Sequence, residues 1–263
     1  MIFSDLDGTL LDPETYSWQA AQQALERIEQ LRIPLILVSS KTRAEIEAVR
    51  QSLRHGHPFV VENGAAAFWP QGYFEAPVPG ATERGPYELL EWGSPYGELV
   101  EALQAASREA QCPVRGFHDM SLSEICELTH LTPEQAILAK QREYDEPFLT
   151  SPSCAPQLLE TIRRRGFRWT HGGRFYHICG NNDKAVAVHA LTNLYRHRFG
   201  PLTTIGLGDS WNDLPLFDAV DRAVLVRSKQ PAPPGFRGAK LTREHGPAGW
   251  NEAVLEILSE MAP

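Results

Sequence analysis

The sequence predicts an α/β fold, in which a Rossmann-like core with a parallel sheet carries an inserted α+β domain. Strand-length apolar runs alternate with segments of helical periodicity over residues 1–61, a pattern typical of parallel strands joined by right-handed crossovers. The alternation stops near residue 70, in a stretch rich in proline and glycine, and resumes near residue 174. We therefore expect a first core segment at 1–81, an inserted cap domain at 82–173 and a second core segment at 174–263.

The first core segment supplies three strands and two helices. Residues 1–4 and 59–61 are short apolar strands, and 34–39 reads PLILVS, a continuous apolar run expected of a strand covered on both faces. Apolar residues at helical spacing predict helices over 17–31 and 43–53. The following stretch, 70–86, is interpreted as a linker with turns.

The inserted domain is large enough for a small core of its own. Its predicted strands are 87–92, 113–117, 148–150 and 167–171, and its predicted helices are 95–110, 121–128, 133–142 and 155–165. The second core segment then returns to the first pattern. Its predicted strands are 175–179, 203–207 and 223–226, and its predicted helices are 183–197, 212–220 and 250–261.

Length and charge limit the partners. With 263 residues, 42% of them hydrophobic, the chain is long enough for one large domain or for one domain that carries a smaller one. The net charge is −8, and the densest basic cluster, RRR at 163–165, fits a solvated helix face, so we expect no nucleic acid partner. No apolar stretch approaches the roughly 20 residues of a membrane span, so we expect no membrane partner. Oligomeric state stays open.

The cysteines and the first residues indicate a cytoplasmic location. The four cysteines lie far apart, form no CxxC pair and fit buried free thiols in a reducing compartment. The first apolar run is interrupted by Asp5 and Asp7 and follows no basic segment, which argues against a signal peptide.

Side chains suited to catalysis follow four predicted strands at their carboxyl ends. They are Asp5 and Asp7, Ser39 with Ser40, Lys184, and Asp209 with Asn212 and Asp213 in the stretch GLGDSWND. Ligands of open parallel sheets bind at that edge, so we expect these groups to share one crevice.

Two neighbouring aspartates after a buried strand need a compensating cation or a shared proton. Hard oxygen ligands suit Mg²⁺, which takes one or two carboxylates and leaves positions for water and a phosphate. With Lys184 as a further positive charge, the set fits phosphoryl transfer, which depends on positioning and charge stabilisation. One carboxylate of the pair Asp5/Asp7 could attack phosphorus, and the other could exchange a proton with the leaving group and with water.

Each of these residues also has a structural alternative. Asp183, Asp209 and Asp213 could cap helices, and Ser39 could be an ordinary hydroxyl at a strand end. The order and the strand-end placement of the whole set favour the functional interpretation.

These motifs resemble those of the haloacid dehalogenase (HAD) superfamily, and all four appear in its order: DLDGT at 5–9, the serine of LILVSS, the lysine of GNNDK and GLGDSWND at 206–213. The resemblance implies that Asp5 is the nucleophile and that Asp7 is the general acid and base, with its backbone carbonyl on Mg²⁺. It also implies that Asp209 is a metal ligand. Asp213 would not bind the metal itself but would support the residues that do. The residues that it assigns to phosphate binding are Ser39, Lys184 and Asn212.

Within the superfamily the chain resembles the mannosyl-3-phosphoglycerate phosphatases, a branch of Cof-like sugar phosphatases with a sheet-containing cap of the C2 type. The resemblance rests on SSKTRAEIE at 39–47, ENGAA at 62–66, GFHDMS at 116–121, ELTHLTPEQAILAKQREYDEPF at 127–148 and GGRFYHICG at 172–180. It implies a small-molecule substrate in which mannose is joined to 3-phosphoglycerate, and inorganic phosphate and the compatible solute mannosylglycerate as products. One departure is Ala185, where relatives commonly have glycine.

The substrate implied by this resemblance carries a carboxylate, for which arginine is the usual bidentate partner. Arg142, Arg115 and Arg174 are the candidates, and the structural alternative for each is an ion pair with a nearby acid. His118, His130 and His177 are interpreted as core or surface histidines. We also expect the cap to close over the site, with hinges at 70–86 and 171–173.

Other functions stay open at this point. The chain could be a different sugar phosphatase of the superfamily, sucrose-phosphate-like or Cof-like, or a phosphomutase that returns the phosphate to a bound sugar. Outside the enzymes, it could be an inactive module that binds sugar phosphates.

Overall fold

The computed structural model describes residues 1–172, 174–229, 236 and 240–261, and these residues form two β-sheets with helices packed on them. The strands are β1 (Ile2–Ser4), β2 (Leu35–Val38), β3 (Phe59–Val61), β4 (Ala66–Pro70), β5 (Thr82–Arg84), β6 (Tyr87–Glu91), β7 (Val114–Gly116), β8 (Asp145–Thr150), β9 (Arg168–Gly172), β10 (Phe175–Cys179), β11 (Ile205–Gly208), β12 (Arg222–Arg227) and β13 (Lys240–His245). The α-helices are α1 (Gln22–Gln30), α2 (Arg43–Leu53), α3 (Tyr96–Ala110), α4 (Leu122–Thr129), α5 (Pro133–Ala139), α6 (Ala155–Arg164), α7 (Lys184–Phe199), α8 (Leu214–Asp218) and α9 (Gly246–Glu260).

The larger sheet has the order β13-β12-β11-β1-β2-β3-β4-β6-β5. Its strands from β13 to β3 pair in parallel, and β4, β6 and β5 extend it with antiparallel pairings. Strand β1 lies between β11 and β2, so the loops that follow these three strands share one edge of the sheet.

Successive residues of the central strands point to opposite faces of this sheet. Ile2 and Leu37 pack with Trp250 of α9 on one face. Phe3 and Ile36 pack on the other face, in the cluster that also contains residues of α7 and α8. All four residues of β2 are buried, as expected of a strand covered on both faces.

The smaller sheet, β7-β8-β10-β9, is entirely antiparallel. Helices α3 and α6 pack on it through Leu99, Leu103, Leu158 and Ile162. Helices α4 and α5 form a second small cluster with Phe117 and Phe175. The predicted class, a parallel-sheet α/β core with an additional α+β cap, is confirmed.

Two predicted strands lie in a different sheet from the one expected, and a third strand lies where a linker was expected. Residues 82–84 and 87–91, predicted to be a linker end and the first cap strand, pair in the core sheet beside β4. Residues 175–179, predicted to begin the second core segment, pair with β8 and β9 of the cap sheet. An apolar run predicts a strand but does not specify its partner, and partners far apart in the sequence decide which sheet a strand joins.

We therefore propose that the chain crosses between core and cap near 92–95 and 180–183 rather than at the predicted boundaries and hinges. These two crossings touch: a Cβ added to Gly180 would lie 2.6 Å from the backbone nitrogen of Ser94. Gly173, the last residue of the predicted hinge at 171–173, lies outside the described residues.

Two further features bear on the sequence-based expectations. All four cysteines are free thiols. In the described part of the chain, no helix combines the length and the apolar character that crossing a bilayer requires.

Candidate active site

Four of the predicted polar residues meet at the carboxyl edge of the core sheet. Asp5 follows β1, and its amide donates a hydrogen bond to the carbonyl of Leu207, so it stays in register with β11. The ammonium of Lys184, at the start of α7, lies 2.7 Å from Asp5 Oδ1 and 2.6 Å from Asp213 Oδ1. One carboxylate oxygen from each of Asp5, Asp209 and Asp213 lies within 4.8 Å of the others.

The residues at the start of α7 fix the position of Lys184. Asp183 caps α7, because its side chain accepts a hydrogen bond from the amide of Val186. Lys184 is therefore the first residue of that helix, with its side chain buried. The predicted alternative of a helix cap thus holds for Asp183, and it serves to position Lys184.

Asp213 uses both of its carboxylate oxygens within the protein. Oδ2 accepts hydrogen bonds from the amides of Asp209 and Ser210, each at 3.1 Å, and Oδ1 faces the ammonium of Lys184. The carboxylate of Asp213 therefore caps the turn that begins at Asp209, and it also orients the ammonium of Lys184. With both oxygens engaged, it is poorly placed to bind a metal ion directly.

Charge in this cluster is incompletely balanced by the protein. Burial raises the pKa of Asp5, against the lowering effect of Lys184. Burial also raises the pKa of Asp209, and the neighbouring Asp213 and Asp5 add to that effect. Burial alone would lower the pKa of Lys184, but Asp213 and Asp5 together raise it above its ordinary value, so the ammonium is a permanent charge.

The residues present fit Mg²⁺. Asp5 and Asp209 present hard carboxylate oxygens, Lys184 pairs with only two of the three clustered acids, and a divalent cation would offset the remaining repulsion. Gly8 allows the loops to approach closely: its φ is +75°, and a Cβ there would lie 2.6 Å from Asp209 Oδ2. The glycine after the aspartate pair is therefore required by the geometry of the site.

Asp7 pairs with a lysine of its own, Lys41. Its Oδ2 lies 2.9 Å from the ammonium of Lys41, and its side chain is 42% exposed, against 7% for Asp5. Its other oxygen, Oδ1, is buried without a hydrogen-bond partner in the described part of the chain. The two aspartates can coexist two residues apart because each faces a different cation, and one oxygen of Asp7 is left for a ligand.

Lys41 is a residue that the sequence analysis missed. Its ammonium also lies 3.5 Å from Glu45 and 4.8 Å from the ring centre of Tyr16. Burial alone would lower the pKa of Lys41, but the neighbouring Asp7 and Glu45 raise it above its ordinary value. Its place directly after the strand-end serines was the available signal.

The two remaining phosphate-binding candidates differ in accessibility. Asn212 lines the cavity beside Asp5, with its amide nitrogen 3.1 Å from Asn63 Oδ1. Ser39 is buried, its hydroxyl accepts a hydrogen bond from the amide of Lys41, and its neighbour Ser40 lines the cavity.

A cavity of about 670 Å³ lies between this edge of the core and the cap. Among its lining residues, the core contributes Asp5, Asp7, Asn212, Trp211 and Lys229, and the cap contributes Leu128, His130, Arg174, Phe175 and His177. The volume suits a small polar molecule that is enclosed from both sides.

The three candidate arginines lie in different places. Arg174 lines the cavity and donates a hydrogen bond to the carbonyl of Leu128. Arg115 lies on the surface in an ion pair with Glu124. Arg142 is buried outside the lining of the cavity and donates a hydrogen bond to the carbonyl of Ser40 at 2.8 Å.

Arg142 is one of several contacts by which the cap is held to the core. The two side-chain oxygens of Glu62 accept hydrogen bonds from the backbone amides of Glu143 and Tyr144, at 2.9 and 2.8 Å. Burial raises the pKa of Glu62 to about 8. Glu62 and Asn63 have positive φ angles of 45° and 59°, and this kink in ENGAA turns their side chains toward the cap.

The amino-acid sequence of the chain is similar to those of known phosphatases. Residues 2–74 match the sequence model of the haloacid dehalogenase-like hydrolases. A glucosyl-3-phosphoglycerate/mannosyl-3-phosphoglycerate phosphatase of Methanococcoides burtonii is 39% identical over 99% of this chain and 97% of its own. The mannosyl-3-phosphoglycerate phosphatase of Pyrococcus furiosus is 38% identical over 86% of this chain and 90% of its own.

Solved structures resemble the whole chain in fold. A protein of Thermoplasma acidophilum superposes with a TM-score of 0.69 at 18% identity, covering 98% of this chain and 97% of its own. The HAD subclass IIB sugar phosphatase BT4131 superposes with a TM-score of 0.65 at 16% identity, covering 97% of this chain and 98% of its own. At these identities the likeness shows the arrangement of core and cap.

Proposed function

The chain belongs to the mannosyl-3-phosphoglycerate phosphatase family of haloacid dehalogenase-like hydrolases, and on that basis we propose that it hydrolyses mannosyl-3-phosphoglycerate to mannosylglycerate and inorganic phosphate, with Asp5 as the nucleophile. The observation that carries this proposal is the buried cluster of Asp5, Lys184 and Asp209 on the floor of a cavity between core and cap. The Methanococcoides burtonii relative, which matches almost the whole chain, is named for a glucosyl as well as a mannosyl substrate, and this favours glucosyl-3-phosphoglycerate as a second substrate.

The first half-reaction transfers the phosphoryl group to the enzyme. A carboxylate oxygen of Asp5 attacks phosphorus in line, an aspartyl-phosphate forms, and the bond between phosphorus and the glycerate oxygen breaks. Asp7, on the more exposed side of the site, gives a proton to the departing alkoxide. Lys184 balances charge on the phosphoryl oxygens, and Asn212 and Ser39 donate hydrogen bonds to them.

The second half-reaction returns the enzyme to its starting state. Asp7 takes a proton from a water molecule, the water oxygen attacks phosphorus, and the bond to Asp5 breaks to release inorganic phosphate. Mg²⁺ bound to Asp5, to Asp209 and to the backbone carbonyl of Asp7 would supply charge neutralisation and would orient the phosphate. Asp213 keeps Lys184 and the Asp209 loop in place through both steps.

The cap contributes substrate recognition. Of the three candidate arginines, Arg174 is the one that lines the cavity, so we assign the glycerate carboxylate to it. Arg142, which is occupied by the carbonyl of Ser40 and by Asp145 at 3.5 Å, is assigned to holding the cap against the core. Closure of the cap around the substrate would exclude water from the phosphoryl group.

A phosphate-release assay across a panel of esters tests the proposal. The panel contains mannosyl-3-phosphoglycerate, glucosyl-3-phosphoglycerate, mannose 6-phosphate, sucrose 6-phosphate, 3-phosphoglycerate and phenyl phosphate. The two glycosyl esters should exceed every other ester in kcat/KM by at least about tenfold, a difference of about 1.4 kcal/mol in transition-state binding. Preference for a simple sugar phosphate would contradict the substrate assignment, transfer of phosphate to a second sugar would indicate a mutase, and no release from any ester would indicate a binding module.

A further inference from the structure

His177 presents an unpaired ring nitrogen to the cavity. It lies on β10 in the cap wall, is 8% exposed and lines the same cavity as Asp5 and Asp7. Its Nδ1 lies 2.8 Å from Asp145 Oδ1. Its other nitrogen, Nε2, has no hydrogen-bond partner among the residues that the structure describes. A histidine held by one nitrogen in this way can offer only the other one to a ligand.

Asp145 fixes the orientation of that ring. Its carboxylate is fully buried, lies 3.5 Å from Arg142 Nη1 and accepts a hydrogen bond from Asn63 Nδ2 at 3.2 Å. Burial alone would raise the pKa of Asp145, but His177 and Arg142, with the Asn63 hydrogen bond, hold it below its usual value, so the group is an anion. An anionic carboxylate requires a proton on Nδ1, so Nε2 is the ring nitrogen that can form a hydrogen bond with a ligand.

We propose that His177 binds the leaving group of the substrate through a hydrogen bond between Nε2 and one of its hydroxyl groups. The carboxylate of the leaving group is assigned to Arg174, which leaves its hydroxyl groups, able both to donate and to accept, as the partners of Nε2. The inference rests on the proposed function, because it requires a leaving group that carries hydroxyls.

The same hydrogen-bond chain continues to the phosphate site. The side chain of Asn63 donates a hydrogen bond from Nδ2 to Asp145. Its Oδ1 accepts a hydrogen bond from Nδ2 of Asn212 at 3.1 Å. Its backbone amide also donates to the carbonyl of Ser39 at 3.0 Å. A leaving group on His177 is thereby placed in a fixed relation to the side-chain amide of Asn212, to which phosphate binding is assigned. Asp145 and Asn63 act as positioning residues in this arrangement.

Two substitutions of His177 distinguish the roles of its two ring nitrogens. His177→Asn keeps an amide near the position of Nδ1, where it can still face Asp145, and removes the nitrogen in the cavity. His177→Gln places a polar amide group near the position of Nε2. His189→Asn, at an exposed position on α7, is the matched control.

The measured quantity is kcat/KM for mannosyl-3-phosphoglycerate divided by kcat/KM for phenyl phosphate, which has no hydroxyl. We expect His177→Asn to lower this ratio roughly tenfold, the scale of one hydrogen bond, with most of the change in KM. His177→Gln should recover part of the ratio, and His189→Asn should leave it at the wild-type value. Thermal unfolding of each variant shows that the compared proteins are folded.

The outcomes distinguish this inference from the proposed function. If wild type prefers the glycosyl ester and His177→Asn keeps the full preference, His177 does not bind the leaving group although the function stands. An equal loss on both esters would give His177 a purely structural role and would also overturn the inference. If wild type itself shows no preference, the proposed function fails first, and with it the discrimination that His177 is proposed to supply.

Discussion

The ammonium of Lys184 lies 2.7 Å from the carboxylate of Asp5, and both groups are buried, with side-chain exposures of 0% and 7%. A second carboxylate, that of Asp213, holds the same ammonium from the other side at 2.6 Å. The proposed nucleophile is therefore held by a cation that the protein itself keeps in position. The proposed chemistry depends on this pairing, because Lys184 remains charged beside the phosphoryl group.

Removing this lysine should destabilise the folded chain. Lys184→Met leaves two buried carboxylates without their partner, which costs about 3–5 kcal/mol in unfolding free energy. Mg²⁺ should restore part of the loss, because it offsets the same charges. The control is Lys240→Met, whose exposed ion pair with Glu256 contributes little. Urea unfolding with and without Mg²⁺ measures both, and a loss below about 1 kcal/mol for Lys184→Met without Mg²⁺ would show that the pair is not a structural requirement.

Mg²⁺ should stabilise the wild-type protein through Asp209. At a free concentration of 100 times the dissociation constant, binding to the folded state adds about 2.7 kcal/mol to the unfolding free energy. Asp209→Asn should lose most of this increment, and Asp218→Asn, at an exposed position on α8, should keep it. Phosphatase activity should vanish with a chelator and fall with Ca²⁺, whose larger and looser coordination suits in-line attack poorly. An equal Mg²⁺ increment in Asp209→Asn would place the ion elsewhere.

Lys41 should affect turnover through Asp7. Its ammonium holds Asp7 Oδ2 at 2.9 Å, and in Lys41→Met the proposed general acid and base loses its orienting partner. We expect kcat to fall by about 10–100-fold, part of the usual contribution of a general acid and base, with a small change in KM. Lys41→Arg, which keeps the charge, should recover part of the rate. A pure KM effect would instead make Lys41 a substrate-binding group.

Glu62 should give the stability of the protein a pH dependence. Burial raises its pKa to about 8 in the folded chain, against about 4.3 in an unfolded chain. Between these pH values the folded state keeps a proton that the unfolded state has lost, so this contribution to the unfolding free energy falls as the pH rises from about 5 to about 8. Glu62→Gln carries no such proton, and the difference in unfolding free energy, wild type minus variant, should therefore fall by a few kcal/mol over that range.

Urea unfolding at several pH values measures this difference. Glu98→Gln, an exposed substitution on α3, is the control and should differ from wild type by the same amount at every pH. A Glu62→Gln difference that is equally constant would show that Glu62 is ionised throughout in the folded state.

The core of the site could be predicted from the sequence because strand ends fix it. An apolar strand followed by a polar residue places that residue at the sheet edge, and this rule places Asp5 and Asp209 correctly. Lys184 could be placed in the same way, although its strand, β10, joins the cap sheet. A lysine at the start of a helix was enough to predict its position. Asp183 caps α7 regardless of which sheet the preceding strand joins.

The cap side of the site could not be predicted in this way. Arg142 was a reasonable candidate by charge, but the structure buries it against the carbonyl of Ser40, a contact between residues 102 positions apart. His177 was interpreted as a core or surface histidine because nothing near it in the sequence reveals Asp145, its partner 32 positions away. The kink at Asn63 likewise depends on contacts with both domains. Such residues acquire their roles from long-range packing, which local patterns do not encode.

The most direct test of the central claim is detection of the phosphoryl group on Asp5 during turnover. Wild type and Asp7→Asn are mixed with mannosyl-3-phosphoglycerate and Mg²⁺, quenched in acid within the first turnover and digested, and the peptide that contains Asp5 is analysed by mass spectrometry. Asp7→Asn lacks the acid that assists the leaving group and the base that activates water, so the account predicts that the phosphorylated peptide forms slowly but persists in this variant, appears briefly in wild type and is absent from Asp5→Asn. Phosphate release without any phosphorylated peptide, or a phosphoryl group on another residue, would contradict the assignment of Asp5 as the nucleophile.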